Sequence, residues 1–312
     1  MKAVKFKKFG GPEVLEVMET RTPLVKQSEI LIEVHSAGVN PIDTKIREGS
    51  SFVAKSLNLP AGMGYDVCGE VDICGGDTRI FKPGDIVLGT VGRHDNPCSY
   101  SEFCVGKESD FVILPKELDS KTAAGIPIAA LTAWQGLHDY AHIQEGEKVL
   151  IHAAAGGVGH FAVQFAKLAK AHVTVTASER HHEFLKELGA DQIIDYTKEN
   201  FCEKVKDVDL VFDLVGGDVG CSSFSCLKKG GRLVTVPTIT RDQVLKKSVE
   251  LGFNAMGMLA ETKKEDLEKI TTLLVNKEII YKVAATFSLE NAADAHKMIE
   301  EKHTQGKIVI SV

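Results

Sequence analysis

From Lys148 onward the chain alternates short apolar runs with helix-forming stretches, and no other feature narrows its possible folds so far. VLIHA leads into the glycine-rich AAGGVG and a helical VGHFAVQFAKLAKA; then come HVTVTA, the helical RHHEFLKELGA, QIID, VDLVFDLVG and GRLVTVP. Strands separated by helices are joined by right-handed crossovers, so this rhythm predicts a parallel sheet. The VDLVF and RLVTV runs are nearly continuous in apolar residues, as strands covered on both faces should be.

The earlier part of the chain has a different rhythm. VKFKKFG, VLEVMET, EILIEVHSAG, GEVDICG, KPGDIVLGTV, SEFCVG and DFVILP are short alternating strands broken by glycine and proline, which predicts an antiparallel, barrel-like domain over residues 1–121. The stretch Thr122 to Asp139 is alanine-rich and helix-compatible and opens a second domain, 122–258. A final segment, 259–312, reads as the helix KKEDLEKITTLLVNKE, a strand near IIYKVAA, the helix SLENAADAHKMIEEKH and the strand GKIVISV. A chain of 312 residues is long enough for two cores.

The net charge is −6 and the lysines are interspersed with acids, so there is no basic stripe for nucleic acid and no polybasic membrane patch. MKAVKFKKFG is not followed by the apolar core of a signal peptide, and no segment approaches the length of a membrane span; a cytosolic location is expected. The cysteines number seven and include no Cys-x-x-Cys, so free thiols in a reducing compartment are expected rather than a zinc ribbon or disulfides.

In a dinucleotide-binding loop the glycines have three separate roles, which are a tight turn, close approach of backbone to pyrophosphate, and close packing of helix on strand. Gly156 and Gly159 fill the second and third, and Ala154 stands where the first glycine belongs. Pyrophosphate is then expected against free N–H groups at the positive end of the following helix. About 20 residues further on, NAD enzymes place an acid on the ribose 2′-hydroxyl. Here that position is Ser178, with Arg180 and His181 beside it to neutralise a 2′-phosphate, which favours NADPH; Glu179 argues the other way. The plainer reading of Arg180 and His181 is the solvated first turn of a helix. His152, Cys68 and Trp134 are expected to serve packing.

These motifs in order, with HSAGVNPIDTKIREG, FKPGDIVLG, SYSEFCV, TAAGIPIAALTAWQGL, AAAGGVG, LGAD, IDYT and GKIVISV, resemble the medium-chain dehydrogenase/reductase superfamily. More narrowly the chain resembles its zinc-independent quinone oxidoreductases, the zeta-crystallin-like branch. The resemblance implies an α/β architecture: a GroES-like, β-rich catalytic domain completed by the C-terminal segment, with a Rossmann domain of doubly wound parallel sheet inserted, and an active site in the cleft between them. Where zinc-dependent relatives carry ligands, this chain has Val39, Tyr65 with Asp66, and Ile128, an implausible set for zinc.

By the same resemblance, Ala155, Gly156, Gly157, Val158, Gly159 and His160 line the pyrophosphate, Ser178, Arg180 and His181 the 2′-phosphate, Tyr196 the adenosine end, and Phe253 and Asn254 the nicotinamide. His181 replaces the lysine usual in relatives. Asn40, in the VNPxD motif, is the expected polar contact to substrate or nicotinamide, and its alternative is a turn residue before Pro41. Asp43 is expected to cap the helix beginning TKIREG. Tyr65 either orients a substrate oxygen or delivers a proton, or it simply walls the pocket. The implied activity is NADPH-dependent reduction of quinones or activated carbon–carbon double bonds. The alternatives are an enoyl or 2-alkenal reductase and an NADPH-binding structural or regulatory protein with little turnover. The resemblance also implies a homodimer, paired through strands around VELGFNAMGM.

Overall fold

The alternation after Lys148 folds as a six-stranded parallel sheet. Its spatial order is Gln192–Ile194, His172–Thr176, Lys148–Ile151, Val208–Asp213, Leu227–Thr235 and Asn254–Gly257. In chain order that is 3-2-1-4-5-6, the doubly wound Rossmann arrangement, with the topological switch between the first and fourth strands. Val149, Leu150, Ile151, Leu210, Val211, Phe212, Leu233 and Val234 are fully buried. These strands are covered on both faces, which is why they carry no polar alternation. The helix Gly159–Leu168, which follows the glycine loop, is itself buried over its first eight residues.

This computed structural model describes residues 1–92 and 98–312, and the chain divides into two units. The Rossmann sheet belongs to the unit formed by Ala130–Glu261 and Ile279–Lys282; the other comprises Met1–Ala129, Thr262–Glu278 and Val283–Val312. Among the described residues no helix is long and apolar enough to cross a membrane.

The second of these units is built on the eleven-residue strand Glu29–Val39. Along one side it pairs antiparallel with Asp66–Cys74. Along the other its first half pairs with Phe103–Lys107 and its second half with the C-terminal strand Lys307–Ser311. Register shifts between Leu31 and Ile32 and between Val34 and Ser36 bend the strand so that it can serve three partners. A small sheet of Glu16–Glu19, Lys2–Phe6 and Ala61–Gly62 lies apart from this path.

The helix after Val39 starts earlier than the sequence suggests. Pro41, with its fixed φ and missing N–H, takes the first helical position, so the helix runs Pro41–Glu48 with Asn40 as N-cap. Asp43 therefore sits at the third helical position, and its Oδ2 accepts the Asn40 N–H at 2.8 Å, the carboxylate half of a capping box. Gly49 ends the helix in the left-handed region, φ 86°.

Candidate functional site

At the carboxyl end of Lys148–Ile151 the chain turns through residues 152–158 before the helix begins at Gly159. A Cβ at Gly159 would stand 2.4 Å from the Ala153 carbonyl oxygen and 2.6 Å from the Ala154 Cα, so only glycine lets the helix approach the loop this closely. The positive φ of the turn falls at Ala153, φ 49°, and not at Ala154, so a first glycine is not needed for that purpose. The N–H groups of Ala155, Gly157 and Val158 have no acceptor among the described residues. Donors left over at a helix N-terminus, on a loop whose side chains are small, fit the pyrophosphate of a dinucleotide. His160 is buried within that helix and its ring lies against Phe161.

The loop after His172–Thr176 stands at the same edge. Thr176 pairs with Ile194, and the Ala177 N–H donates to the Ile194 carbonyl at 3.1 Å, so Ser178 and Tyr196 both follow the ends of neighbouring strands. Ser178 caps the turn Glu179–His181 by its backbone, and Tyr196 is exposed. The Arg180 Nε donates to His181 Nε2 at 3.2 Å. Glu179, the residue that argues against a 2′-phosphate, is turned into an ion pair with Lys198 at 2.5 Å.

Phe253 and Asn254 are not brought to this edge. Asn254 opens its strand opposite Arg232, at the amino end of the parallel sheet, and Phe253 stacks on Phe224 in an apolar cluster with a ring separation of 5.7 Å. The residues that this strand delivers to the carboxyl edge are Gly257, opposite Thr235, and Met258 after it. The expectation fails because in a parallel sheet a ligand meets the residues after a strand, not those before it.

His152, the first residue past its strand, is a neutral structural pin. Ser223 Oγ donates to the Val219 carbonyl at 2.6 Å, so it accepts from His152 Nε2 at 2.8 Å, and Thr176 Oγ1 must then donate to Nδ1 at 2.9 Å. Burial pushes its pKa down to about 4.

In the other unit a polar cluster is assembled from five separate segments. Asn40, 3% exposed, donates from Nδ2 to Asp66 Oδ2 at 2.8 Å and accepts at Oδ1 from Lys307 Nζ at 2.6 Å. Lys307 also donates to the Val39 carbonyl at 2.8 Å. Asp66 Oδ1 accepts the Ile128 N–H at 2.9 Å, and Tyr100 OH donates to Asp43 Oδ2 at 3.2 Å. Gly38, opposite Asp66, makes room for the Ile128 contact: a Cβ there would lie 2.3 Å from the Ala124 carbonyl oxygen of the preceding turn.

Burial dominates the electrostatics of this cluster. It raises the Asp43 pKa to about 7, against the lowering pull of the Asn40 N–H, Lys307 and Tyr100 and with the added push of Asp66. It raises Asp66 to about 6, opposed by Lys307 and by hydrogen bonds from Asn40 and Ile128. Burial likewise lowers Lys307, opposed by both carboxylates. Three ionisable groups out of water hold a balance that none could keep alone. The sequence points to Asn40 and Asp43 but not to Lys307 or Tyr100, and a lysine opening the strand GKIVISV looks like a solvated strand end.

Tyr65 is 7% exposed and shares one apolar cluster with Val39, with Ile128 packed against it, so these three side chains contribute hydrocarbon and one aromatic ring. Residues 26–145 match the alcohol dehydrogenase GroES-like domain and residues 188–310 the zinc-binding dehydrogenase domain. A chloroplastic quinone-oxidoreductase homolog of Spinacia oleracea is 32% identical, over 99% of this chain and 98% of its own. The quinone oxidoreductase from Coxiella burnetii is 43% identical and superimposes with a TM-score of 0.98, covering 100% of this chain and 99% of its own. The chain belongs to the zinc-independent quinone oxidoreductases of the medium-chain dehydrogenase/reductase superfamily.

A third similar protein, the Escherichia coli quinone oxidoreductase complexed with NADPH, is 27% identical with a TM-score of 0.89 and full coverage of both chains. As a quinone oxidoreductase family member the chain is an oxidoreductase that uses a nicotinamide dinucleotide, with a GroES-like unit and a Rossmann unit. The zinc named in one matched domain does not fit its side chains: among the described residues no group of three or more His, Cys, Asp or Glu could hold a metal ion.

Proposed function

We propose that this protein reduces quinones or activated carbon–carbon double bonds with NADPH. The observation that carries the choice of cofactor is the end of His172–Thr176, where Ser178 replaces the usual acid, Arg180 stands exposed beside it, and Glu179 is occupied by Lys198. A hydroxyl and a guanidinium suit a 2′-phosphate, whereas a carboxylate would repel it. NADPH, when bound, supplies the hydride. The chain's own part is to hold and orient: the N–H groups of Ala155, Gly157 and Val158, with Gly156 and Gly159 shaping the loop beside His160, take the pyrophosphate, and Tyr196 flanks the adenosine.

Asn40 and Tyr65 are the groups proposed to meet the acceptor. Asn40 offers a carboxamide hydrogen to the acceptor's oxygen, where charge develops during reduction. Tyr65 borders the acceptor with its ring. A conjugated acceptor spreads that charge over its own framework, so a hydrogen-bond donor suffices where an isolated alkoxide needs a Lewis acid. The test monitors loss of reduced nicotinamide absorbance by chelator-treated protein against a quinone, an enone and a 2-alkenal, with NADPH and NADH in parallel. Turnover with NADPH and at least one conjugated acceptor is expected; NADPH binding without turnover on any of them would reject the enzyme reading.

The protein is proposed to act in the cytosol, where its seven free thiols suit a reducing compartment. It is proposed to form a homodimer through the edge strand Asn254–Gly257 and the neighbouring helix Arg241–Leu251, on which Val249 is 81% exposed. A monomeric mass by light scattering would contradict the dimer.

A further inference from the structure

Asparagine oxygen and nitrogen are nearly the same size, so the direction in which a buried carboxamide points is decided by its neighbours. At Asn40 one neighbour leaves no choice. The Lys307 ammonium has three donors and no acceptor, and at 2.6 Å it can meet only the amide oxygen. That turns Nδ2 to Asp66, where one of its two hydrogens is used at 2.8 Å. The other has no acceptor among the described residues.

We propose that Lys307 is a positioning residue for the reaction: it fixes the direction of the Asn40 carboxamide and so keeps Asn40 a donor toward the acceptor's oxygen. The inference rests on the reading of Asn40 as an acceptor contact. Asp66 by itself cannot set the direction, because a carboxyl raised to about 6 by burial can protonate and donate to the amide oxygen, which favours the reverse orientation. The ammonium is held in place by two independent features. It also donates to the Val39 carbonyl at 2.8 Å, and it is carried by a strand whose register sets Ile308 opposite Val39. Thus a residue 267 positions away in sequence reaches Asn40 at a fixed distance.

The test compares Asn40→Ala, Lys307→Met, Lys307→Arg and the Asn40→Ala/Lys307→Met double variant by kcat/KM with NADPH and a quinone. It is paired with ¹⁵N NMR of the Asn40 side-chain amide, assigned by its loss in Asn40→Ala. Each single variant to Ala or Met is expected to lower kcat/KM about tenfold or more, and the double variant to be no worse than Asn40→Ala within about twofold. Lys307→Arg, which keeps a donor-only head, is expected to restore turnover to within about threefold of the native protein. The Asn40 amide resonances are expected to move in Lys307→Met and to stay in Lys307→Arg. Losses that multiply in the double variant, or resonances unmoved in Lys307→Met, would overturn the proposal. Asn40→Ala with native turnover would reject the acceptor contact itself, whereas an impaired Asn40→Ala beside an unimpaired Lys307→Met would reject only the role of Lys307. If Lys307→Met does not fold, Lys307→Gln replaces it: its head both donates and accepts, so both carboxamide directions are allowed, and a loss smaller than about tenfold with moved or doubled Asn40 amide resonances is expected, whereas native turnover with unmoved resonances would overturn the proposal.

Discussion

The glycine loop of the Rossmann unit is made by main chain, whereas the cluster around Asn40 in the GroES-like unit is made by side chains. The loop's working groups are the N–H donors of Ala155, Gly157 and Val158, and they lie within four consecutive residues. The cluster draws Asn40, Asp66, Tyr100 and Lys307 from separate segments and places charges in an apolar setting. A backbone site needs only the absence of Cβ atoms in the right places. A buried ionic site needs every partner present, because each charge depends on the others for compensation.

The largest effect that could break this contrast is removal of a buried charge. Lys307→Met leaves Asp43 and Asp66 without their cation and is expected to cost about 3–5 kcal/mol in urea unfolding; a cost below about 1 kcal/mol would mean the cluster does not depend on its charges.

Next in size are opposite pH dependences. Asp43 has a folded pKa of about 7 against 3.8, so its contribution to stability is present in acid and lost as pH rises from about 4 through 7. His152, held neutral at about 4 against 6.5, contributes stability at neutral pH that is lost as pH falls from about 6.5 to 4. At the limits the two are worth on the order of 4 and 3 kcal/mol respectively. His296, lowered to about 3 by burial and by Arg47, adds its own loss in acid on the GroES-like side. Asp43→Asn, which keeps an acceptor for Asn40 and Tyr100, is therefore expected to flatten the fall toward neutral pH, and His152→Gln to flatten the acid limb. Denaturation profiles across pH 4 to 7 unchanged by both variants would refute the assignment.

Gly159→Ala probes the backbone site. Its Cβ would meet backbone atoms of Ala153 and Ala154, so a loss of about 2–3 kcal/mol is expected together with weakened NADPH binding by fluorescence titration. Native affinity in this variant would show that helix and loop need not touch so closely. The smallest effect is expected at Arg180. Arg180→Ala should weaken NADPH about tenfold and leave NADH unchanged, since only the 2′-phosphate differs between them; equal losses for both would remove Arg180 from the 2′-phosphate site.

The same contrast sets how far each region is legible in the sequence. Gly156, Gly159 and Ser178 can be read there because strand, loop, helix and strand are consecutive, and the parallel pairing of Thr176 with Ile194 then brings Tyr196 alongside. For Phe253 and Asn254 the family resemblance misleads although a local signal exists: they precede their strand, and the carboxyl-edge rule points instead to Gly257 and Met258. Asp43 does cap its helix, but from the third helical position rather than from before the first turn, because Pro41 starts the helix. Lys307 carries no local signal at all; its role appears only when Lys307–Ser311 pairs with the far end of Glu29–Val39.

By itself the sequence determined the alternation of strands and helices, the parallel sheet, and the glycine loop at its first strand. Those features depend on residues near one another, whose apolar spacing and missing side chains act over a few residues. Only the tertiary structure decided that Asn40 faces an ammonium on one side and a carboxyl group on the other. Hydrogen-bond direction and the pKa of a buried group depend on which distant side chains share its desolvated space, and strand register, not local spacing, sets that.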